Sequence, residues 1–357
     1  MLSPTELYTL YKETHDNEAL EQLLHIEILN LSAKEPEELE ILKETPNLRK
    51  LYIHNCKIDD LSIIEHLTKL ELLALSGNEI SDIAPVAKLT NLREFCACHN
   101  HIEDLSPLAG LKSLKVICVQ SNQISDISPL AKLKNMTQIL LRHNIISDIS
   151  PLADLANLQK LDLIDNTVRD LSPLAELKNI NLLNIGSNEI RDISPLKGLT
   201  NLENLCFCIN KVTDIAPLAG LVNLETLCSR DNKISNISPL ANLTSLQDLR
   251  LCGNLITNLK PLAELENLQM VSLRLNGIIS LIPLSELTSL EELDVAFCTK
   301  ITGIPALYGL EGLKRFNFSK GIVSMEEALE LSRHIPGCDL RSLKTKDDGA
   351  DYCDHNH

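Results

Sequence analysis

The cysteines are the residues of this chain whose type and spacing point most directly to chemistry. The chain has 11 cysteines, and six of them form two triplets in which a third cysteine lies 22 residues after the start of a Cys-x-Cys pair: Cys96, Cys98 and Cys118, then Cys206, Cys208 and Cys228. Clustered thiols can bind a metal ion or exchange a disulfide. A Cys-x-Cys pair on a strand, however, spans about 6.5 to 7 Å and lacks the usual spacing of a metal knuckle, so we assign no metal ligand from the sequence.

The elements that position these cysteines belong to a repeat of 22 residues. Eleven of the 15 prolines recur at this interval, from Pro85 to Pro305, and Cys56 and Cys298 share the phase of a recurring asparagine. Self-similarity at such a period is the signature of a solenoid. The asparagine recurs ten times without a slip, as Asn78, Asn100, Asn122, Asn144, Asn166, Asn188, Asn210, Asn232, Asn254 and Asn276.

Each repeat predicts a short strand, a turn and a short helix. A Leu-x-Leu step such as Leu161 and Leu163 has period two, so both side chains lie on one face of a strand. The asparagine that follows can bond the backbone of its own turn and of the next coil. Ser-Pro then predicts an N-cap and the first residue of a helical or 3₁₀ turn. A single unit cannot bury its leucines, whereas a stack of units can.

This pattern, Leu-x-x-Leu-x-Leu-x-x-Asn-x-Ile followed by Asp-Ile-Ser-Pro-Leu, resembles the leucine-rich repeat family, and within it the 22-residue class of bacterial internalins. The resemblance covers about residues 26–323 and implies an α/β solenoid, a horseshoe with a concave parallel β-sheet and short 3₁₀ or helical segments on its convex side. The leucine-rich regulatory subunits of eukaryotic type 1 protein phosphatase share the repeat length but usually have Glu-Asn where this chain has Ser-Pro. We expect neither the signal peptide nor the wall anchor of secreted internalins.

Four parts are expected along the chain. Ser3-Pro4 and Asp16 predict two helices at the start, and the capping box at Ser324 predicts a third near the end. The last repeat begins after a step of 23 residues, at residue 313, which indicates a one-residue insertion. The expected parts are an N-terminal helical cap at 1–25, about 13 repeats plus a degenerate first unit at 26–323, a C-terminal helical cap at 324–340 and a loose tail at 341–357.

The candidate binding residues are those that the repeat directs to the concave face without prescribing their type. Side chains between the buried leucines of each strand point to solvent, and function must be encoded there. We expect a protein partner of unknown identity to bind through Tyr52, His54, Leu72, Cys96, Cys98, Cys118, Leu140, Arg142, Cys206, Cys208, Cys228, Arg230, Arg250, Cys252 and Arg274.

Two groups of residues on this face allow more than one interpretation. The cysteines are small apolar residues tolerated on a strand, part of a partner-binding surface, or a thiol or metal sensor. Arg230, Arg250 and Arg274 either grip a carboxylate or phosphate or pair internally with aspartates nearby. Those aspartates are Asp231, Asp248 and Asp294. A metal site in the tail, at Cys353, His355 and His357, is disfavoured because ordering the tail costs entropy.

Charge and composition narrow the function further. The chain has 33 basic and 49 acidic residues, so its net charge is −16. This charge argues against sequence-independent binding to nucleic acid or to an anionic membrane. No phosphate-binding loop, zinc-protease motif or esterase motif occurs, so we expect no catalytic residue and no cofactor. We expect a cytoplasmic monomer. The alternative is a regulatory or scaffold subunit of an enzyme such as a phosphatase, although the absence of Trp counts against it.

Overall fold

Each repeat begins with a short strand whose middle residue is a buried aliphatic or aromatic side chain. The computed structural model describes residues 2–298, 301–319 and 321–343. Leu73, Phe95 and Ile117 follow one another in register on parallel strands, and all three are fully buried. This confirms the predicted fold class, a leucine-rich repeat solenoid of parallel strands with short 3₁₀ segments. The chain divides into two compact units, Met1–Ile180 and Asn181–His357.

The first unit contains two helices followed by strands that pair in parallel, each with the strand of the next repeat. Its helices and strands are α1 (Pro4–Thr14), α2 (Asn17–Leu24), β1 (Ile28–Asn30), β2 (Lys50–Tyr52), β3 (Leu72–Ala74), β4 (Glu94–Cys96), β5 (Val116–Cys118), β6 (Gln138–Leu140) and β7 (Lys160–Asp162). Its 3₁₀ segments are Pro36–Glu44, Ser62–Ile64, Ala84–Lys88, Ser106–Leu108, Ser128–Lys132, Ser150–Leu152 and Ser172–Leu174.

The second unit continues the same repeat and places one helix before its last strand. Its strands and helix are β8 (Leu182–Asn184), β9 (Asn204–Cys206), β10 (Thr226–Cys228), β11 (Asp248–Arg250), β12 (Met270–Ser272), β13 (Glu292–Asp294), β14 (Arg315–Ser319), α3 (Met325–His334) and β15 (Asp339–Leu343). Its 3₁₀ segments are Ser194–Gly198, Ala216–Gly220, Ser238–Leu240, Lys260–Leu262, Ile282–Leu284 and Ile304–Leu307.

The three α-helices begin where the sequence predicts. Ser3 and Glu6 form a capping box, in which the Glu6 carboxylate accepts a hydrogen bond of 2.7 Å from the Ser3 backbone N–H. Asp16 caps α2 by accepting from the N–H of Glu18, and Ser324 opens α3 with a second capping box. These interactions satisfy N–H groups that the first turn of a helix leaves unpaired. The role of the helices as end caps of the stack stays a prediction.

A ladder of buried asparagines joins successive coils. The Asn144 amide donates to the carbonyls of Val119, at 3.0 Å, and Leu141, at 2.9 Å. Its oxygen accepts from the N–H of Ile124 at 3.0 Å. One side chain therefore satisfies three backbone groups, one in its own coil and two in the preceding coil, whereas we expected its second partner in the next coil. At the phase where Cys56 replaces asparagine, its thiol donates to the carbonyl of Leu31 at 3.1 Å.

The turn that precedes each proline differs from the prediction. Ser106 is the first residue of its 3₁₀ segment, and its side chain does not cap that segment. Instead, Asp104 accepts hydrogen bonds from the backbone N–H of Ser106, at 2.7 Å, and from its hydroxyl, at 2.6 Å. The prediction of serine as the N-cap was wrong, because an aspartate two residues earlier reaches the same N–H through an Asx turn.

The C-terminal end also differs from its predicted boundaries. Strands β13 and β14 pair with a register offset of 23 residues, Glu292 opposite Arg315, as the predicted insertion requires. Strand β15 pairs with β14 through Leu343, so 341–343 belongs to the sheet and not to a loose tail. Sequence alone missed this extension because the segment has no apolar periodicity. The rest of the predicted tail, including the candidate ligands Cys353, His355 and His357, lies outside the described residues.

Candidate functional site

The exposed face of the sheet in the first unit brings the predicted residues of that unit together. Cys96, Cys118 and Leu140 end consecutive strands and are partners in register. Each is half-buried, as are Tyr52, His54 and Arg142. We define the first-unit patch as the half-buried, mainly apolar group formed by Leu72, Cys96, Cys98, Val116, Cys118 and Leu140.

The sulfur atoms of the first-unit patch contact one another. The sulfur of Cys98 lies 2.8 Å from that of Cys118. The hydrogen bond from Cys118 lowers the pKa of the Cys98 thiol to about 7, and hydrogen bonds with Cys96 and with Cys98 raise the pKa of Cys118. Hydrogen bonds from the Gln120 backbone and from the Ser76 side chain lower the pKa of Cys98 further. Cys98 is therefore a thiol with substantial thiolate character near neutral pH.

Arg142 lies at the edge of the first-unit patch in a chain of polar contacts. Its Nε donates to Nε2 of His143 at 3.2 Å. Because Nε2 of this ring accepts, Nδ1 carries the proton and donates to the Asp165 carboxylate at 2.6 Å. These contacts hold the half-buried side chain of Arg142 by its Nε.

The predicted cysteines of the second unit form a tighter group. We define the thiol cluster as Cys206, Cys208 and Cys228, whose sulfur atoms all lie within 4.8 Å of one another. The Cys208 sulfur is 2.9 Å from that of Cys206 and 3.2 Å from that of Cys228. Cys208 is 1% exposed and Cys228 is 5% exposed. The expectation that both present their sulfur to a macromolecular partner was wrong, because both side chains are buried.

Of the two interpretations of the predicted arginines, the structure favours pairing with side chains of this chain. Arg250 makes a bidentate contact with Asp248 of the same strand, with distances of 2.9 to 3.2 Å. Arg230 pairs with Asp231 at 3.1 Å. Arg274 is only 6% exposed, and its guanidinium carbon lies 4.9 Å from the centre of the Phe297 ring. The three side chains are thus held by partners of their own, and Arg274 in particular is not presented to solvent as predicted.

Two contacts on this face were not anticipated from the sequence. The Cys252 sulfur lies 2.9 Å from the hydroxyl of Ser272. Gly186 adjoins the thiol cluster, since a methyl group added there would lie 3.6 Å from the Cys206 sulfur. The shared phase of Gly186 and Cys208, 22 residues apart, was the available signal. Within the described residues, no helix is both long and apolar enough to cross a membrane.

Comparison with known proteins gives consistent results. The family model described as "Leucine Rich repeats (2 copies)" matches residues 46–88, 90–132, 112–154, 134–176 and 200–242. An internalin from Listeria monocytogenes, InlF, is 32% identical with a TM-score of 0.80, and the match covers 86% of this chain and 89% of that one. No match is found among curated protein sequences.

Two further solved structures share the fold. The leucine-rich repeat protein LIC12759 of Leptospira interrogans is 24% identical with a TM-score of 0.79, covering 91% of this chain and 92% of that one. The leucine-rich repeat ectodomain of the Arabidopsis thaliana receptor kinase GASSHO1/SCHENGEN3, solved in complex with CASPARIAN STRIP INTEGRITY FACTOR 2, is 20% identical with a TM-score of 0.71. That match covers 91% of this chain and 45% of the receptor chain. At these identities the likeness concerns the fold alone.

Proposed function

We propose, because this chain belongs to the leucine-rich repeat family and is internalin-like, that it is an interaction module that binds a protein partner on the exposed face of its sheet. The leucine-rich repeat fold is generally a protein–protein interaction module, and its relatives are typically not enzymes. The choice of face and of residues is our proposal.

The observation that carries this proposal is the first-unit patch. The fold requires buried residues at the middle of each strand, such as Ile117 and Ile139. It places no such demand on the outward positions, yet Val116, Cys118 and Leu140 are apolar and half-buried there. Contiguous apolar side chains on an otherwise solvated face are typical of contact surfaces. Arg142 adds a cation at the edge, a residue type enriched at interfaces.

The remaining features of the proposal follow from charge and thiol chemistry. A net charge of −16 repels phosphate backbones and anionic lipid, so we propose that the partner is neither nucleic acid nor a membrane. The abundance of cysteine thiols supports a cytoplasmic location, where such groups stay reduced. We propose a monomer that works through binding and not through catalysis.

Site-specific photo-crosslinking tests the assigned face. A photoreactive residue replaces Leu140 in the first-unit patch, and in a matched variant it replaces Ala153, which is exposed beside the 3₁₀ segment Ser150–Leu152 of the same repeat. In native lysate of the source organism we expect a discrete crosslinked protein from position 140 and none from position 153. Introducing Val116→Glu should abolish the crosslink.

Three results would contradict the proposal. Equal crosslinking from the two positions would show that the partner does not bind specifically to the exposed face of the sheet. A crosslinked species sensitive to nuclease and not to protease would replace the protein partner with nucleic acid. Unchanged crosslinking in the Val116→Glu variant, with its circular dichroism spectrum preserved, would exclude the first-unit patch.

A further inference from the structure

The thiol cluster has a geometry that follows from two rules of the parallel sheet. Cys206 and Cys208 are two residues apart, so their side chains emerge on the same side of the backbone. Cys228 is the register partner of Cys206 on the neighbouring strand. The three sulfurs therefore converge from two neighbouring coils and form a triangle with every side within 4.8 Å.

The three sulfurs lie close enough together for a single ion to contact all of them. Non-bonded carbon atoms reach their optimum at roughly 3.5–4.0 Å, and sulfur is the larger atom. The Cys206–Cys208 and Cys208–Cys228 sulfur distances, 2.9 and 3.2 Å, are shorter than that, yet longer than the roughly 2.05 Å of a disulfide. Three metal–thiolate bonds of about 2.3 Å, arranged at 120°, place sulfurs about 4 Å apart. Small movements of the side chains reach that arrangement.

The chemical type of the three ligand atoms determines which kind of ion the thiol cluster prefers. All three donors are sulfur, the ligand that selects soft ions such as Cu(I). Structural zinc sites almost always have four ligands in a tetrahedron, whereas among the described residues the group consists of three. The burial of Cys208 and Cys228 also leaves little room for a water molecule as a fourth ligand. We propose that Cys206, Cys208 and Cys228 bind one Cu(I) ion as thiolates in a trigonal arrangement.

Binding balances as three thiols plus Cu(I) giving a complex of charge −2 and three protons. The surroundings suit this change. Arg230 follows Cys208 by one repeat, so it lies beside it in register, and its guanidinium, which also pairs with Asp231 at 3.1 Å, attracts a complex of charge −2. Gly186 flanks the cluster on the other side, where its lack of a side chain leaves the Cys206 sulfur unobstructed.

Anaerobic titration of the full-length reduced protein with Cu(I), in competition with the chelator bicinchoninate, tests the site. We expect one tightly bound equivalent, a thiolate-to-copper absorption band in the near ultraviolet and an X-ray absorption shell of three sulfurs at about 2.3 Å. Cys208→Ser should weaken binding more than about 100-fold, since even residues that merely support a ligand change affinity 10- to 100-fold. Cys206→Ser, at the half-buried member of the cluster, is the second test variant.

Cys252→Ser and Cys118→Ser are matched controls, because both remove a half-buried thiol of the sheet face outside the cluster. Both should keep the copper equivalent. Unchanged affinity in folded Cys208→Ser and Cys206→Ser proteins would overturn the proposal, as would a shell of two or four sulfurs. A stoichiometric Zn²⁺ complex that persists after addition of one equivalent of Cu(I) would show that the site prefers zinc to copper. None of these readouts depends on a protein partner, so the site and the interaction function fail separately.

Discussion

The sulfur atoms of Cys118 and Cys98 share a hydrogen bond of 2.8 Å, which joins two consecutive coils of the first unit. This contact lowers the pKa of Cys98 to about 7. Burial, by contrast, raises the pKa of Cys298, whose side chain is fully buried. Because the thiolate is the nucleophile, Cys98 is the more reactive of these two cysteines and Cys298 the less reactive.

We therefore predict that Cys98 reacts with iodoacetamide at half its maximal rate near pH 7, while Cys298 remains unmodified in the folded protein. Cys118→Ala should move the midpoint for Cys98 to higher pH, because the donor that stabilises the thiolate is lost. Peptide mass spectrometry of samples alkylated between pH 5.5 and 9 measures both. An unchanged Cys98 midpoint in the variant would contradict the assigned donor.

Removal of one asparagine from the ladder should cost far more stability than removal of an exposed asparagine. Asn254 is 5% exposed and bonds the carbonyls of Ser229 and Leu251 and the N–H of Ile234, each at 3.0 Å. Asn254→Ala removes the partner of the buried Ile234 N–H and one of the two asparagine donors to each carbonyl, which Asn232 and Asn276 still bond, at a cost of about 3 kcal/mol. Urea unfolding followed by circular dichroism measures the change.

Asn267→Ala is the matched control for this prediction. Its amide makes one hydrogen bond of 2.8 Å, to the carbonyl of Thr244, from an exposed position. Water replaces that partner, so we expect a loss below about 1 kcal/mol. Equal effects of the two substitutions would show that burial of the ladder does not set its contribution.

Acid should weaken the fold through the aspartates that precede the 3₁₀ segments. Hydrogen bonds from the serine two residues later lower the pKa of Asp60, Asp104, Asp148 and Asp170. A carboxyl group with a lowered folded-state pKa contributes stability above its unfolded pKa, about 3.9, and loses it as pH falls through the folded value. The melting temperature should therefore fall below pH 4 with a contribution from these four groups.

Replacing the four aspartates by asparagine should flatten this acid dependence. The substitution fits the turn, because Asn236 already accepts from the N–H of Ser238 at the same phase. We expect a lower melting temperature at pH 7 and a smaller decrease between pH 5 and pH 2.5 than in the original chain. Parallel curves for both proteins would assign the acid sensitivity to other carboxylates.

Ile209 holds a backbone conformation that suits it poorly. Its φ is 52°, in the left-handed region, and its side chain is 44% exposed. For residues with a side chain this region costs roughly 1–2 kcal/mol, and a β-branched residue is an outlier there. Ile209→Asn should stabilise the protein by about 1 kcal/mol, whereas Ile145→Asn, at an exposed residue outside the set with positive φ, should not. A destabilised Ile209→Asn protein in urea unfolding would show that packing outweighs strain at this site.

The features predictable from the sequence are those that recur at one phase. The spacing of Asn144 and its equivalents led to the ladder, and the capping boxes at Ser3 and Ser324 located two helices. The role of Asp104 was missed, because serine and aspartate both qualify as caps and only the backbone path decides between them.

The candidate site was harder to predict. The position of a residue within the repeat determines on which side of the sheet its side chain lies, but it does not determine how exposed that side chain is. Cys98 and Cys208 occupy equivalent positions, yet Cys98 is half-buried and Cys208 is covered. Cys208 contacts the sulfur of Cys206 in its own coil and that of Cys228 in the next coil. Contacts between side chains of different repeats carry no signal in the periodicity of one repeat.

The bonding pattern of the asparagine ladder also bears on how such a chain can change in length. A ladder asparagine satisfies groups in its own coil and in the coil before it: Asn78 does so with Leu75 and Ile53, and Asn144 with Leu141 and Val119. Duplicating or excising a whole coil by in-frame recombination recreates the same contacts at the junction, while an indel of one residue breaks them. Length can thus evolve in steps of a complete repeat, and the one-residue insertion of this chain follows the last ladder asparagine, Asn276.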